Sequence, residues 1–182
     1  MAIQVKTLES AISDARKKLR HIDNELMQFE FPEFSKIEFS TKKMNVEDII
    51  KDIPIGNGDE DYIYIFKVKG KTQSNRECIS ILECLKNKST DVLFPRINHD
   101  NKGTQYLYVG RSHKLRNRMS HHLSDKYIKT YGLHMKLWVR YVSEIIEIQY
   151  FKLTNEDNLV VQSIEDALWE KFRPAFGRKG DK

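Results

Sequence analysis

From Val5 onward the apolar residues Leu8, Ile12, Ala15, Leu19, Ile22, Leu26 and Phe29 recur in alternating steps of four and three. This spacing predicts one long helix with a coiled-coil-like seam, ended near Phe31-Pro32 because a residue before proline is pushed out of helical backbone. So short a seam suits either a partner helix or the domain's own core. Residues 33–61 hold no sustained period; they are mixed, acidic and end in "IGNGDED", which reads as a turn.

The period then changes. "YIYIFKVK" (62–69) puts Tyr62, Tyr64, Phe66 and Val68 on one face, and "QYLYVG" (105–110) puts Tyr106 and Tyr108 on one face, so two strands are expected. Between them, "NRECISILECLKNK" predicts a short helix and "INHDNKG" a polar turn. Beyond lie a helix from about His113, β-prone stretches at "MKLWVRYV" and "IIEIQYFKL", and a final helix over roughly Asn158 to Phe172. The expected fold class is α/β of the α+β type, a small mixed, largely antiparallel sheet flanked by helices. Residues 1–60 are the N-terminal helix and its connection, and residues 61–182 carry the remaining strands and helices.

A chain of 182 residues that is 40% hydrophobic supports one sizeable core. "MAIQVKTLES" lacks the apolar run of a signal peptide and no stretch has membrane-helix length, so a cytoplasmic protein without a membrane partner is expected. Cys78 and Cys84 match no zinc pattern and are expected to be reduced core cysteines. The net charge of +5 is uneven: residues 1–60 hold 9 Lys and Arg against 12 Asp and Glu, and the remainder 22 against 14. The basic part is the candidate for meeting a polyanion.

Two clusters could carry chemistry. In "YVGRSHKLRNRMSHH", Arg111 and Lys114 surround Ser112, where a helix should begin, although each cation at a helix start costs about 0.3 to 1 kcal/mol. On that helix Leu115, Met119 and Leu123 form the core stripe, Lys114, Arg118 and His121 run beside it, and His122 lies between. These residues suggest an anion site assembled from N–H groups, a guanidinium and an ammonium. In the last helix Glu165 points into the apolar face of Val161, Ile164, Leu168, Trp169 and Phe172, while Asp166 and Glu170 point away. A buried carboxylate needs a cation, a metal or a proton; a structural arginine pair is the plainer explanation.

Tyr108-Val109-Gly110 followed by Ser112, Leu115, Arg118, Met119 and His122 resembles the second half of the GIY-YIG nuclease motif. Tyr62-Ile63-Tyr64 resembles the GIY half with tyrosine in place of glycine, and Glu165, Leu168, Trp169 and Pro174 resemble the family's glutamate helix. The family's terminal asparagine falls at Gly177, and the gap from Gly70 to Thr104 exceeds the usual hairpin, so the resemblance implies a catalytic domain over 61–182 with an insertion at about 70–104. The resemblance implies a metal-dependent DNA endonuclease, with a sequence-specific, restriction-like role as one reading. Its site would comprise Tyr64 or Tyr108 as general base, Arg118 on the scissile phosphate, His122 relaying protons, and Glu165 holding one Mg²⁺ or Mn²⁺. RNA is not excluded as substrate.

Recognition would fall to the insertion, where Arg76, Lys86, Lys88, Arg96 and Lys102 are expected to contact DNA along with Arg111, Ser112, Lys114 and His121. A homodimer through the N-terminal helix would bring two such sites together. The competing class is a noncatalytic nucleic-acid-binding module that keeps the fold, and a third reading is a structural protein assembled through that helix.

Overall fold

The computed structural model describes residues 5–70, 72–101, 103–154 and 157–180, the side chains of 72–75 excepted. Its elements are α1 (Val5–Met27), β1 (Ser35–Ser40), α2 (Val46–Ile50), β2 (Glu60–Val68), α3 (Thr72–Lys88), β3 (Tyr106–Ser112), α4 (Leu115–Leu123), β4 (Ile145–Thr154) and α5 (Asn158–Phe172). The four strands form one sheet in the order β1-β4-β2-β3, every pairing antiparallel. No helix among the described residues is long and apolar enough to cross a membrane.

Strand alternation divides the core in two. Tyr62, Tyr64, Phe66 and Val68 face a large cluster with Leu115, Met119 and Leu123 of α4 and Cys78 and Leu82 of α3. Ile63, Phe151 and Leu153 face the opposite way, where Val161, Ile164 and Leu168 of α5 cover them together with Phe29. Each fully buried aliphatic side chain contributes about 1.5 to 3 kcal/mol, so the two faces hold α4 and α5 on opposite sides of one sheet.

Several sequence expectations are corrected. Residues 33–61 contain β1, the edge strand on β4, and α2, whose Asn45 cap accepts from Glu47 N at 3.1 Å. "MKLWVRYV" is no strand but two turns of 3₁₀ helix, Met135–Leu137 and Val139–Tyr141. Its buried residues Met135, Trp138, Val139 and Val142 follow a helical rather than an alternating period. Tyr106 and Tyr108 do not share a face, because the β2–β3 register shifts beyond Phe66. Tyr106 therefore stacks on Phe172 of α5 at 4.1 Å, whereas Tyr108 packs with Tyr64. Cys78 is buried, but Cys84 is exposed. No residue of α1 is buried, and Leu8, Ile12, Leu19 and Leu26 lie open along its seam.

Candidate active site

Arg118, on the second turn of α4, is the hub of the site. Its Nε donates to Tyr64 Oη at 3.1 Å, its Nη2 to Tyr108 Oη at 3.3 Å and its Nη1 to the Tyr131 carbonyl at 2.7 Å. Three of five N–H groups are thereby engaged and two remain for a ligand. The tyrosine rings lie parallel, 6.1 Å apart and 7° from coplanar. Gly110 permits this packing: a Cβ there would lie 2.7 Å from both Tyr64 Oη and Tyr108 Cε1.

His122, one turn further along α4, is fully buried, with its Nε2 3.1 Å from Tyr64 Oη. Leu133 N donates to its Nδ1 at 3.2 Å. A neutral imidazole that accepts at Nδ1 carries its proton on Nε2, so His122 donates to Tyr64. Burial, reinforced by the Arg118 charge, holds its pKa well below the ordinary 6.5. Tyr64 Oη thus accepts from two donors. Burial raises its pKa while Arg118 pulls the other way.

Glu165 reaches the site from α5. Its side chain is 12% exposed and its Oε2 lies 3.5 Å from Arg111 Nε. Burial raises its pKa against the pull of Arg111. Arg111 belongs to the end of β3 and not to the helix start; it pairs in register with Ile63, and its Nη1 also donates to the Asn158 carbonyl at 3.4 Å. Tyr108, Arg111 and Glu165 line one cleft of about 550 Å³ with Lys86, Arg96, Tyr131, Gln162 and Arg178.

The helix-start anion site is not formed as expected. α4 begins at Leu115, Arg116 N already donates to the Pro54 carbonyl at 3.1 Å, and Ser112 Oγ accepts from Lys114 N at 3.2 Å. Lys114 is exposed and His121 packs on Tyr127 at 4.8 Å; neither lines the cleft. Of the insertion's cations, Lys86 and Arg96 line the cleft, Arg76 and Lys88 are exposed on α3 away from it, and Lys102 lies outside the described residues. Asp166 is partly buried and accepts from Gln162 Nε2 at 2.9 Å, while Glu170 is exposed and pairs with Lys179.

Sequence reasoning missed the groups that orient the site. Tyr131 and Leu133 act through backbone atoms, in a loop held by Trp138 Nε1 on the Leu133 carbonyl at 2.7 Å and by His134 Nε2 on the Thr130 carbonyl at 3.0 Å. Beside Gly177, Asn98 Nδ2 donates to the carbonyls of Pro174 and Gly177, each at 3.0 Å. An asparagine at 177 would meet the Tyr108 ring, since a Cβ there would lie 2.8 Å from Tyr108 Cε2, at a φ of +95°.

Among the described residues no three His, Cys, Asp or Glu side chains converge as a metal cage. One carboxylate in an open cleft still fits Mg²⁺, which retains most of its waters and takes one or two carboxylates. The chain matches no protein family, no curated protein and no solved structure.

Proposed function

We propose that the protein is a metal-dependent endonuclease of GIY-YIG type that hydrolyses DNA phosphodiester bonds. The observation that carries this reading is Arg118 bonded to the phenols of both Tyr64 and Tyr108, with His122 donating to the first and Glu165 beside the second in one cleft. A phosphate-binding module needs cations; it has no use for a guanidinium spent on two phenol oxygens.

The remaining N–H groups of Arg118, with Arg111 at the cleft wall, bind the scissile phosphate and neutralise charge on its oxygens. The general base belongs to the tyrosine pair. Tyr64 has the better supported oxygen, with two donors on it; Tyr108 has the better access, since it lines the cleft. At Tyr64 the Arg118 charge favours the phenolate and opposes the effect of burial. Glu165 would hold one Mg²⁺ or Mn²⁺, which when bound supplies Lewis-acid stabilisation of the leaving oxygen. Incubating purified protein with plasmid, with and without Mg²⁺, and mapping the ends tests the reading. Metal-dependent nicks or breaks are expected, and intact plasmid at every metal concentration would defeat it.

The exposed seam of α1 favours a second copy as partner: Leu8, Ile12, Leu19 and Leu26 are uncovered, and in a parallel pair Lys18 would face Asp23 of the other copy. Two active sites would then serve the two strands of a duplex. Light scattering should give a dimer; a monomer both with and without DNA would remove this part of the proposal.

A further inference from the structure

The C-terminal residues 174–177 lie between β3 and the end of the insertion. Ala175 N and Phe176 N donate to the carbonyls of Tyr106 and Leu107, each at 2.9 Å, while Asn98 N donates to Ala175 O and Gly177 N to Arg96 O, each at 2.8 Å. Asn98 and Asn101 add side-chain bonds to the Pro174 carbonyl, each at 3.0 Å, and Arg173 Nε donates to Asn101 Oδ1 at 3.2 Å. This double clamp carries Arg96 and Arg178 to the far wall of the active-site cleft.

Two more clefts adjoin it, of about 560 and 420 Å³. Arg96 lines all three, Lys86 joins the first to the second, and Arg178 joins the first to the third. Sharing these residues, the three clefts form a row, hereafter the groove, from Glu165 past Arg96 to Arg173. Its lining acids are three, Glu83 (3.0 Å from His99), Asp100 and Glu165 (paired with Arg111), against the cations Lys86, Arg96, Arg111, Arg173, Arg178 and Lys179. The excess charge is positive and is spread along a path instead of gathered at one point, which suits a row of phosphates better than one small anion.

We infer that this groove binds the phosphodiester backbone of the nucleic-acid strand flanking the cut, with Arg96 and Arg178 on successive phosphates. The inference rests on the nuclease reading for its substrate and adds the strand's path. The insertion is thereby given a role: it builds the wall that the C-terminal segment completes.

The test uses a short fluorescent DNA duplex and the full chain. The double variant Arg96→Gln/Arg178→Gln is compared with Arg76→Gln/Lys88→Gln, which removes equal charge from the face of α3 outside the groove. Each lost phosphate contact lowers the slope of log affinity on log salt by about 0.9, so the groove variant should lose about 2 and the α3 variant nothing. Equal slopes in wild type and groove variant, or equal losses in both variants, overturn the inference. Should the groove variant melt early, Arg96→Lys/Arg178→Lys keeps the charges and must restore the slope. A wild-type protein that binds DNA yet never cuts, with the slope loss still confined to the groove variant, leaves the groove standing and removes the nuclease reading. One that binds neither DNA nor an RNA duplex of the same sequence removes both.

Discussion

Leu133 N donates to His122 Nδ1 across a separation of eleven residues, and this backbone bond sets which ring nitrogen faces Tyr64. Nitrogen-15 NMR of the imidazole should therefore report a neutral Nε2–H tautomer at neutral pH. An Nδ1–H tautomer, or an imidazolium at pH 6.5, would contradict the assignment.

The buried histidines also set an acid limit on stability. Burial is the first cause lowering the pKa of His121, His122 and His134, with Arg118 adding to each. The unfolded chain then binds more protons than the folded one below the ordinary value of 6.5, so stability is complete above 6.5 and is lost as pH falls toward the depressed values. Glu165 has the opposite sign: its raised pKa contributes stability below its ordinary 4.5 that is lost as pH rises through the folded value. Melting curves should show an acid limb starting near 6.5 that is shallower in His122→Gln. An unchanged limb in that variant would place the titration elsewhere.

Glu165→Gln keeps shape and removes charge. Cleavage should fall by about a hundredfold or more, the scale of losing one electrostatic stabiliser, while DNA affinity holds or rises. Glu170→Gln, at the exposed pair with Lys179, should change little. If Glu165 served only as the partner of Arg111, its variant would melt earlier and cut normally once folded.

The tyrosines separate by stability. Tyr64→Phe strands His122 Nε2 and Arg118 Nε in a buried setting, at a cost of about 1 to 3 kcal/mol. For a chain of this size that lowers the melting temperature by roughly 2 to 4 °C per kcal/mol. Tyr108→Phe removes one long bond at the cleft and should melt near wild type. Whichever variant loses turnover beyond what its stability explains identifies the base, and full activity in both would dismiss the pair.

Gly177→Asn, which restores the residue type of the resembled family, should harm this protein. The positive φ and the approach to Tyr108 leave no room for a Cβ, and a cost of about 1 to 3 kcal/mol with displacement of that ring is expected. Equal or higher activity would show that the C-terminal turn can adopt another path.

The local sequence determined the faces of β2, the core stripe of α4 and the inward Glu165, because strand and helix periods fix which side chains share a side. It also held the tyrosine, arginine and glutamate types at telling spacings. The tertiary structure decided what those periods do not encode. The shifted register of β2 and β3 separates Tyr106 from Tyr108, and Arg111 leaves the helix start to pair with Glu165 across the sheet edge. Eight of the resembling positions lie in one short run, but the groups that orient them, Leu133 N and the Tyr131 carbonyl, are backbone atoms common to any residue. β1 was equally illegible: it has one half-covered face of two residues, Ile37 and Phe39, and becomes a strand only because β4 offers it a free edge. Hydrogen bonds made by the main chain over long separations leave no mark on residue identity, so they emerge only when the chain is folded.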